Sequence, residues 1–242
     1  MFYLLPGIFT TLNLFGGFYA LLVSFEGKFL NSAVAIWFSI LFDILDGRIA
    51  RLSGQTSKFG KEYDSLADMV SFGLAPSFLI YNFSLKDFSK IGWLACFLYT
   101  ACVALRLARF NVKEISGFYF EGLPSPAGGA IISATVLFLY KMKLESEYKN
   151  WTLLIMVYIL SYLFVSPIRY PSFKGIKLKT IPAFYFLVGF VLLLVITATN
   201  PPLILLILAT LYILLGPFII FKKGMKSFLK KILDNKFKKN KN

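Results

Sequence analysis

Apolar stretches of about twenty residues recur along this chain, separated by short polar or proline-containing loops. A helix needs roughly 20 apolar residues to span the hydrocarbon core of a bilayer. Hydrophobic residues make up 57% of the 242 residues, charged residues make up 16%, and the mean hydropathy is +0.71. A soluble domain carries about 25% charged residues. The sequence therefore predicts an all-α, polytopic transmembrane helical bundle.

The boundaries of the apolar stretches predict eight helices. Their expected ranges are about 4–26, 29–52, 60–84, 90–110, 125–143, 150–168, 180–198 and 202–221. The pair Pro201–Pro202 separates the last two, because proline lacks the backbone N–H that a helix interior needs. We expect residues 1–221 to form one transmembrane domain and residues 222–242 to form a basic tail. The tail can be an amphipathic helix at the membrane surface or a solvated segment.

The net charge of +14 is concentrated in the loops between apolar segments and in the tail from Lys222 onward. This distribution is typical of membrane orientation and of contact with anionic lipid headgroups, and it argues against a nucleic-acid partner. In the eight-helix arrangement most lysines and arginines fall on the side of both termini. The positive-inside rule predicts that this side faces the cytoplasm. The first apolar run has no basic region before it, so we expect a retained helix rather than a signal peptide.

The chain contains two cysteines and no histidine. Cys96 and Cys102 share one apolar run, so they are predicted to be buried thiols and not a disulfide framework. The absence of histidine excludes every mechanism that requires an imidazole as a base or as a metal ligand.

Four aspartates lie beside the apolar runs between residues 43 and 68. Asp43 and Asp46 are three residues apart, and Asp64 and Asp68 are four apart, so each pair lies on one face of a helix. Carboxylates within a membrane are costly unless positive charge stabilises them. Two antiparallel helices joined by the short loop can turn both acidic faces toward each other. We refer to these four residues as the aspartate cluster.

Small residues follow the same two helical faces: Gly47, Ala50 and Gly60. They leave space for a ligand that a larger side chain would block. Converging carboxylates repel one another unless a cation is bound, and Mg²⁺ and Mn²⁺ prefer such oxygen ligands and bridge to phosphates. Two such ions can stabilise the attacking and the leaving oxygen of a phosphoryl transfer. The aspartate cluster is therefore a candidate site for two divalent cations.

Arginines at the ends of the same apolar segments are candidate ligands for phosphate or carboxylate, which a guanidinium binds through two parallel hydrogen bonds. These are Arg51, Arg106 and Arg109. Other interpretations stay open from the residues alone. The aspartates can form salt bridges at the membrane surface, and Arg106 and Arg109 can be anchors whose charged ends extend to that surface. A cation transporter with an acidic site in the membrane is a further alternative.

The acidic stretch resembles the signature of the CDP-alcohol phosphotransferase family at every spacing. It reads Asp43-x2-Asp46-Gly47-x2-Ala50-Arg51-x8-Gly60-x3-Asp64-x3-Asp68. The segments TSKFGKEYDSLADMVSFGLAP, ALRLARFN and FEGLPSPA resemble the phosphatidylserine synthase branch of that family. The likeness covers residues 5–130, and the last two predicted helices lie outside the six-helix core typical of the family. Gly7 departs from the pattern, because many relatives carry asparagine there.

The resemblance implies attack by the hydroxyl of L-serine on the lipid-bearing phosphorus of CDP-diacylglycerol, giving phosphatidylserine and CMP. It implies that the four aspartates bind two divalent cations and that Asp68 is also the general base. It assigns nucleotide binding to Gly47, Ala50, Arg51 and Gly60, and binding of the acceptor or phosphates to Arg106 and Arg109. A homodimer in the cell (inner) membrane, with its active site facing the cytoplasm, is also expected.

Two alternatives remain within the family. Glycerol 3-phosphate or inositol phosphate can replace serine as the acceptor, although such an acceptor needs more positive charge around its pocket. An archaeal ether lipid can replace diacylglycerol in the donor without changing the signature residues. The sequence context of Asp64 and Arg106 favours serine.

Overall fold

The computed structural model describes residues 5–52, 57–112, 119–143, 147–171 and 183–218. Its helices are α1 (Leu5–Phe25), α2 (Phe29–Leu52), α3 (Lys58–Asp68), α4 (Ala75–Phe83), α5 (Ser89–Val112), α6 (Ser125–Met142), α7 (Glu147–Val165), α8 (Ala183–Thr199) and α9 (Pro201–Phe218). A π-helical segment (Met69–Leu74) joins α3 to α4, and a 3₁₀ helix (Leu85–Phe88) precedes α5. Two strands, β1 (Tyr119–Glu121) and β2 (Arg169–Pro171), pair antiparallel.

The predicted all-α membrane bundle is confirmed, and each predicted segment overlaps a helical one. Five helical segments in the described ranges are long and apolar enough to cross a membrane: Gly7–Phe25, Phe29–Ala50, Lys58–Phe83, Leu85–Val112 and Pro201–Phe218. Cys96 and Cys102 are buried free thiols, as predicted. The β1–β2 pair was not predicted, because three-residue strands leave no periodic pattern in a sequence. The basic tail, residues 222–242, lies outside the described residues.

Helix α1 packs closely against both segments that carry the aspartate cluster. A Cβ atom on Gly17 would lie 2.6 Å from the Cα atom of Ser71 in the π-helical segment, and one on Gly16 would overlap the Ser39 hydroxyl of α2. Only glycine allows backbones to approach this closely without a steric clash. The two consecutive glycines therefore place α1 directly beside the acidic faces.

The helix that carries two of the aspartates changes its hydrogen-bond pattern in the π-helical segment. Pro76 has no backbone N–H, so the carbonyl oxygen of Phe72 cannot receive the usual α-helical hydrogen bond. The N–H of Ala75 bonds to the oxygen of Val70, five residues back. The hydroxyl of Tyr99 on α5 donates to the Phe72 oxygen at 3.0 Å. This contact satisfies a buried carbonyl and fixes α5 to the π-helical segment that follows α3.

We expect Tyr99→Phe to lower the free energy of unfolding by about 1–3 kcal/mol, because the Phe72 carbonyl oxygen is then left buried without this donor. Thermal unfolding of the purified protein in detergent measures the change. Tyr162→Phe is the matched control, since the Tyr162 side chain is 64% exposed whereas Tyr99 is fully buried. Equal unfolding midpoints for the two variants would show that the Tyr99 hydroxyl does not stabilise the fold.

Helix α9 packs against strand β2. Tyr170 of β2 is fully buried, its hydroxyl donates to the Ile213 oxygen at 3.3 Å, and its ring centroid lies 6.0 Å from that of Tyr212. A Cβ atom on Gly216 would lie 2.5 Å from the Tyr170 ring. Burial raises the pKa of Tyr170 to about 12, so its hydroxyl remains a donor at neutral pH. Since β2 pairs with β1, α9 is connected to the chain that leads into α6.

Candidate active site

Three of the four aspartates converge between α2 and α3. Asp43, Asp64 and Asp68 each place one carboxylate oxygen within 4.8 Å of the other two. The acidic faces of the two helices therefore meet. Carboxylate oxygens are the ligands that hard divalent cations prefer, so this donor set fits such an ion.

Asp46 lies outside this group of three. Its carboxylate is 4% exposed, and the hydroxyl of Thr10 on α1 donates to its Oδ2 atom at 3.1 Å. It lies one helical turn from Asp43 on the same helix, as the spacing required. The role of Asp46 as a metal ligand stays a prediction.

Both carboxylate oxygens of Asp68 accept hydrogen bonds, and the side chain is 7% exposed. The Nδ2 atom of Asn13 on α1 donates to Oδ1 at 3.2 Å. The Oγ atom of Ser125, the first residue of α6, donates to Oδ2 at 3.4 Å. Two helices that are distant in sequence, α1 and α6, thus each donate a hydrogen bond to a different oxygen of this buried carboxylate.

Arg106 is connected to Asp68 through Ser125. Its Nη1 atom donates to the Ser125 hydroxyl at 3.2 Å, and its charge interacts favourably with Asp68 and Asp43. The guanidinium is buried, and its Nε–H has no hydrogen-bond partner among the described residues. Because buried N–H groups almost always have partners, this one is suited to bind an anionic ligand.

Arg109 makes different contacts, although it lies one helical turn from Arg106. Its Nη1 atom donates to the oxygen of Val165 at 3.2 Å, and its Nη2 atom donates to those of Phe164 at 3.1 Å and Glu121 at 3.4 Å. The last carbonyls of a helix have no partners within it. Arg109 therefore caps α7 and joins it to β1. Its role in acceptor binding stays a prediction that these contacts do not favour.

The residues predicted to bind nucleotide lie on the same two helices. Gly60 is in the first turn of α3, where its N–H donates to the Ser57 hydroxyl at 2.9 Å, and Ser57 caps the helix. Gly47 and Ala50 are partly exposed on α2. The side chain of Arg51 lies outside the described residues. Nucleotide binding by these four residues stays a prediction.

The polar residues of α1 and α6 that support the carboxylates were not predicted from the sequence. Thr10 and Asn13 are three residues apart on one face of α1, within the apolar run TTLNLFGG. A polar pair at helical spacing in an apolar helix was a usable signal, because polar groups in a membrane are expected to have a function or a partner. Ser125 lies within the segment FEGLPSPA, and no spacing in the sequence relates it to the aspartates.

Helix α9 adds a residue that no local pattern could have indicated. Tyr212 lies in the neighbourhood of Arg106. Leu206, Tyr212 and Ile213 of α9 also pack against the buried core. The last helix thus comes close to the arginine beside the aspartate cluster.

The fold and the site define an integral membrane protein with buried carboxylates suited to a divalent cation and an arginine suited to an anionic substrate. The sequence model of the CDP-alcohol phosphatidyltransferase family matches residues 3–216. The chain belongs to this family of phosphotransferases, and the resemblance found in the sequence is confirmed.

Three relatives illustrate the range of the similarity. The CDP-diacylglycerol–serine O-phosphatidyltransferase of Helicobacter pylori is 37% identical over 177 residues, covering 72% of this chain and 75% of the relative. The enzyme of the same name from Mycobacterium leprae is 32% identical over 247 residues, covering 97% and 80%. The archaetidylserine synthase of Methanothermobacter thermautotrophicus is 36% identical over 181 residues, covering 74% of each chain.

Proposed function

We propose that this enzyme transfers the phosphatidyl group of CDP-diacylglycerol to the hydroxyl of L-serine, forming phosphatidylserine and CMP. The observation that carries the proposal is the environment of Asp68, a buried carboxylate beside Asp43 and Asp64 that is linked through Ser125 to Arg106. The names of the Helicobacter and Mycobacterium relatives support serine as the acceptor and CDP-diacylglycerol as the donor.

An archaeal ether lipid is the second candidate for the donor. The relative from Methanothermobacter thermautotrophicus is an archaetidylserine synthase and is as similar to this chain as the bacterial relatives are. The serine acceptor is common to both candidates, so the same aspartates and arginine would serve either donor.

In the proposed reaction the hydroxyl oxygen of serine bonds to the phosphorus that carries the lipid, and the bond from that phosphorus to the CMP oxygen breaks. CMP leaves with the electron pair of that bond, and Asp68 accepts the hydroxyl proton. Asp68 suits this role because both of its oxygens are held by hydrogen bonds before any substrate binds. Direct displacement of this kind requires no covalent intermediate on the enzyme.

We assign two divalent cations, Mg²⁺ or Mn²⁺, to Asp43, Asp46, Asp64 and Asp68. When bound, such ions neutralise phosphate charge and stabilise the attacking and leaving oxygens. The nucleotide is assigned to the neighbouring residues of α2 and α3: Gly47, Ala50, Arg51 and Gly60.

The carboxylate of the acceptor is assigned to Arg106, whose Nε–H is buried without a partner among the described residues. A guanidinium donates two parallel hydrogen bonds to a carboxylate, which matches an amino-acid acceptor. Arg109 is assigned an indirect role, because its contacts hold α7 against β1, next to the start of α6.

We place the active site and both termini on the cytoplasmic side of the cell membrane, with residues 1–221 as the catalytic domain. The excess of lysine and arginine in the loops on that side supports this orientation. We assign the tail, 222–242, to contact with anionic headgroups. The family resemblance supports a homodimer.

We expect the purified protein in detergent to release CMP from CDP-diacylglycerol when L-serine and Mn²⁺ or Mg²⁺ are present. Little CMP should be released when glycerol 3-phosphate or inositol phosphate replaces serine as the acceptor. Mass spectrometry of the lipid product should identify phosphatidylserine. Chelation of the divalent cation should stop CMP release. A parallel reaction with the CDP-linked ether lipid compares the two donors at equal concentration.

Each arm of this experiment tests one part of the proposal. Equal rates with glycerol 3-phosphate and serine would show that the acceptor is wrong. Full activity after chelation would contradict the metal assignment. A protein that releases no CMP with any acceptor or donor would refute the proposed reaction.

A further inference from the structure

Asn13 lies in the middle of α1, and its side chain is fully buried beside the aspartate cluster. None of the roles assigned above involves this residue. A buried carboxamide is unfavourable unless its polar groups have hydrogen-bond partners. The partners of Asn13 therefore show what it contributes.

The main chain of Asn13 is attached to both segments that carry the cluster. Its carbonyl oxygen accepts hydrogen bonds from the Ser39 hydroxyl of α2 at 3.1 Å and from the Ser71 hydroxyl of the π-helical segment at 2.8 Å. The close approach at Gly17 brings the backbones of α1 and the π-helical segment together. The position of the Asn13 Cα atom is thus fixed relative to α2 and to the π-helical segment that continues α3.

The side chain of Asn13 has one partner and one unpaired atom. Its Nδ2 atom donates to Oδ1 of Asp68 at 3.2 Å, whereas its own Oδ1 atom is buried without a hydrogen-bond partner among the described residues. An ionised carboxylate only accepts hydrogen bonds, so the amino end of the carboxamide must face Asp68. The hydrogen bond to Asp68 therefore offsets part of the free-energy cost of burying the asparagine side chain here.

The second oxygen of Asp68 is held from the opposite helix, where Ser125 of α6 donates to it. The rotation of an aspartate carboxylate about its Cβ–Cγ bond is loosely restricted by its own geometry. Two donors, one on each oxygen, restrict that rotation. Without the Asn13 side chain, only the Asp68 oxygen that Ser125 contacts would keep a hydrogen-bond donor.

We propose that Asn13 is a positioning residue that fixes the rotation of the Asp68 carboxylate and so directs its oxygens toward the cation and the acceptor hydroxyl. In this role Asn13 acts through Asp68 and is itself neither a metal ligand nor a base. The proposal rests on the proposed function for what Asp68 does, while the hydrogen bond itself is a feature of the fold.

The test compares Asn13→Leu, which keeps a similar volume but removes the donor, with Ser39→Ala. The control removes a hydrogen bond to the main chain of Asn13 at the same helix interface and leaves the Asp68 contact intact. We expect Asn13→Leu to lower kcat and to weaken Mn²⁺ affinity by about 10–100-fold each, the usual effect of losing a residue that supports a metal ligand. KM for CDP-diacylglycerol should stay near the wild-type value. Ser39→Ala should keep kcat and Mn²⁺ affinity close to wild type.

Thermal unfolding separates positioning from packing, and Asn13→Ala serves as a second variant if the leucine does not fit. If kcat falls in the Asn13 variants and in Ser39→Ala in proportion to the loss of unfolding midpoint, Asn13 only packs and the proposal is overturned. Wild-type kcat and Mn²⁺ affinity in Asn13→Leu would also overturn it.

If the wild type turns over no acceptor, the proposed function fails. Mn²⁺ affinity, measured by electron paramagnetic resonance, is then the only test of the positioning role of Asn13. Weaker affinity in Asn13→Leu but not in Ser39→Ala supports positioning, and equal affinity refutes it.

Discussion

Asp68→Asn is expected to lower kcat by about 10²–10⁴-fold, the contribution that a general base typically makes. Asparagine keeps the shape of the side chain but cannot accept the hydroxyl proton. The substitution also replaces one accepting oxygen by an amino group, which can no longer accept the hydrogen bond that Asn13 Nδ2 or Ser125 Oγ donates to that position. Loss of proton transfer and loss of orientation therefore act in the same direction.

Initial rates of CMP release at saturating CDP-diacylglycerol and serine measure this effect. Asp87→Asn is the matched control, because Asp87 is exposed, lies outside the group of three carboxylates and accepts a hydrogen bond from Asn150. We expect the control to keep the wild-type rate. If Asp68→Asn retained a rate within tenfold of wild type, the base would have to be another group.

Arg106→Met is expected to lower kcat/KM for serine by about 10²-fold or more. The arginine is buried and interacts favourably with Asp68 and Asp43. A hydrogen bond to a charged group contributes about 1.5–3 kcal/mol, and each 1.4 kcal/mol lost from the transition state is about a tenfold loss of rate. The variant also removes the donor to Ser125 and the unpaired Nε–H assigned to the acceptor carboxylate. Arg106→Lys should restore only part of the activity, since lysine lacks the planar fork of donors.

Arg109→Met is the matched control, because it removes the same charge one turn further along α5. We expect it to lower the unfolding midpoint, since the last carbonyls of α7 lose their donor. At a temperature where both variants are folded, its kcat/KM for serine should fall far less than that of Arg106→Met. The opposite order would favour the sequence-based prediction that Arg109 contacts the acceptor.

The bundle and the acidic faces were predictable because both depend on local spacing. A run of apolar residues indicates a membrane helix by its length, and residues three or four apart share a helical face by geometry. The aspartates at 43, 46, 64 and 68 thus identified two acidic faces, and their spacing with Gly47, Ala50, Arg51 and Gly60 identified the family.

Other features depend on contacts between residues distant in the chain, which no spacing records. Arg106 and Arg109 are equivalent by position on a helix, yet one is linked to Asp68 and the other caps α7. That difference arises from where β1 and the start of α6 pack.

The supports of Asp68 have the same origin. Asn13 reaches it because Gly16 and Gly17 allow α1 to approach, and Ser125 reaches it because α6 begins beside it. Helical periodicity was sufficient to predict which carboxylates share a face. Which groups hold and orient them was settled by packing between helices, because such packing brings together α1, α3 and α6 from separate parts of the sequence.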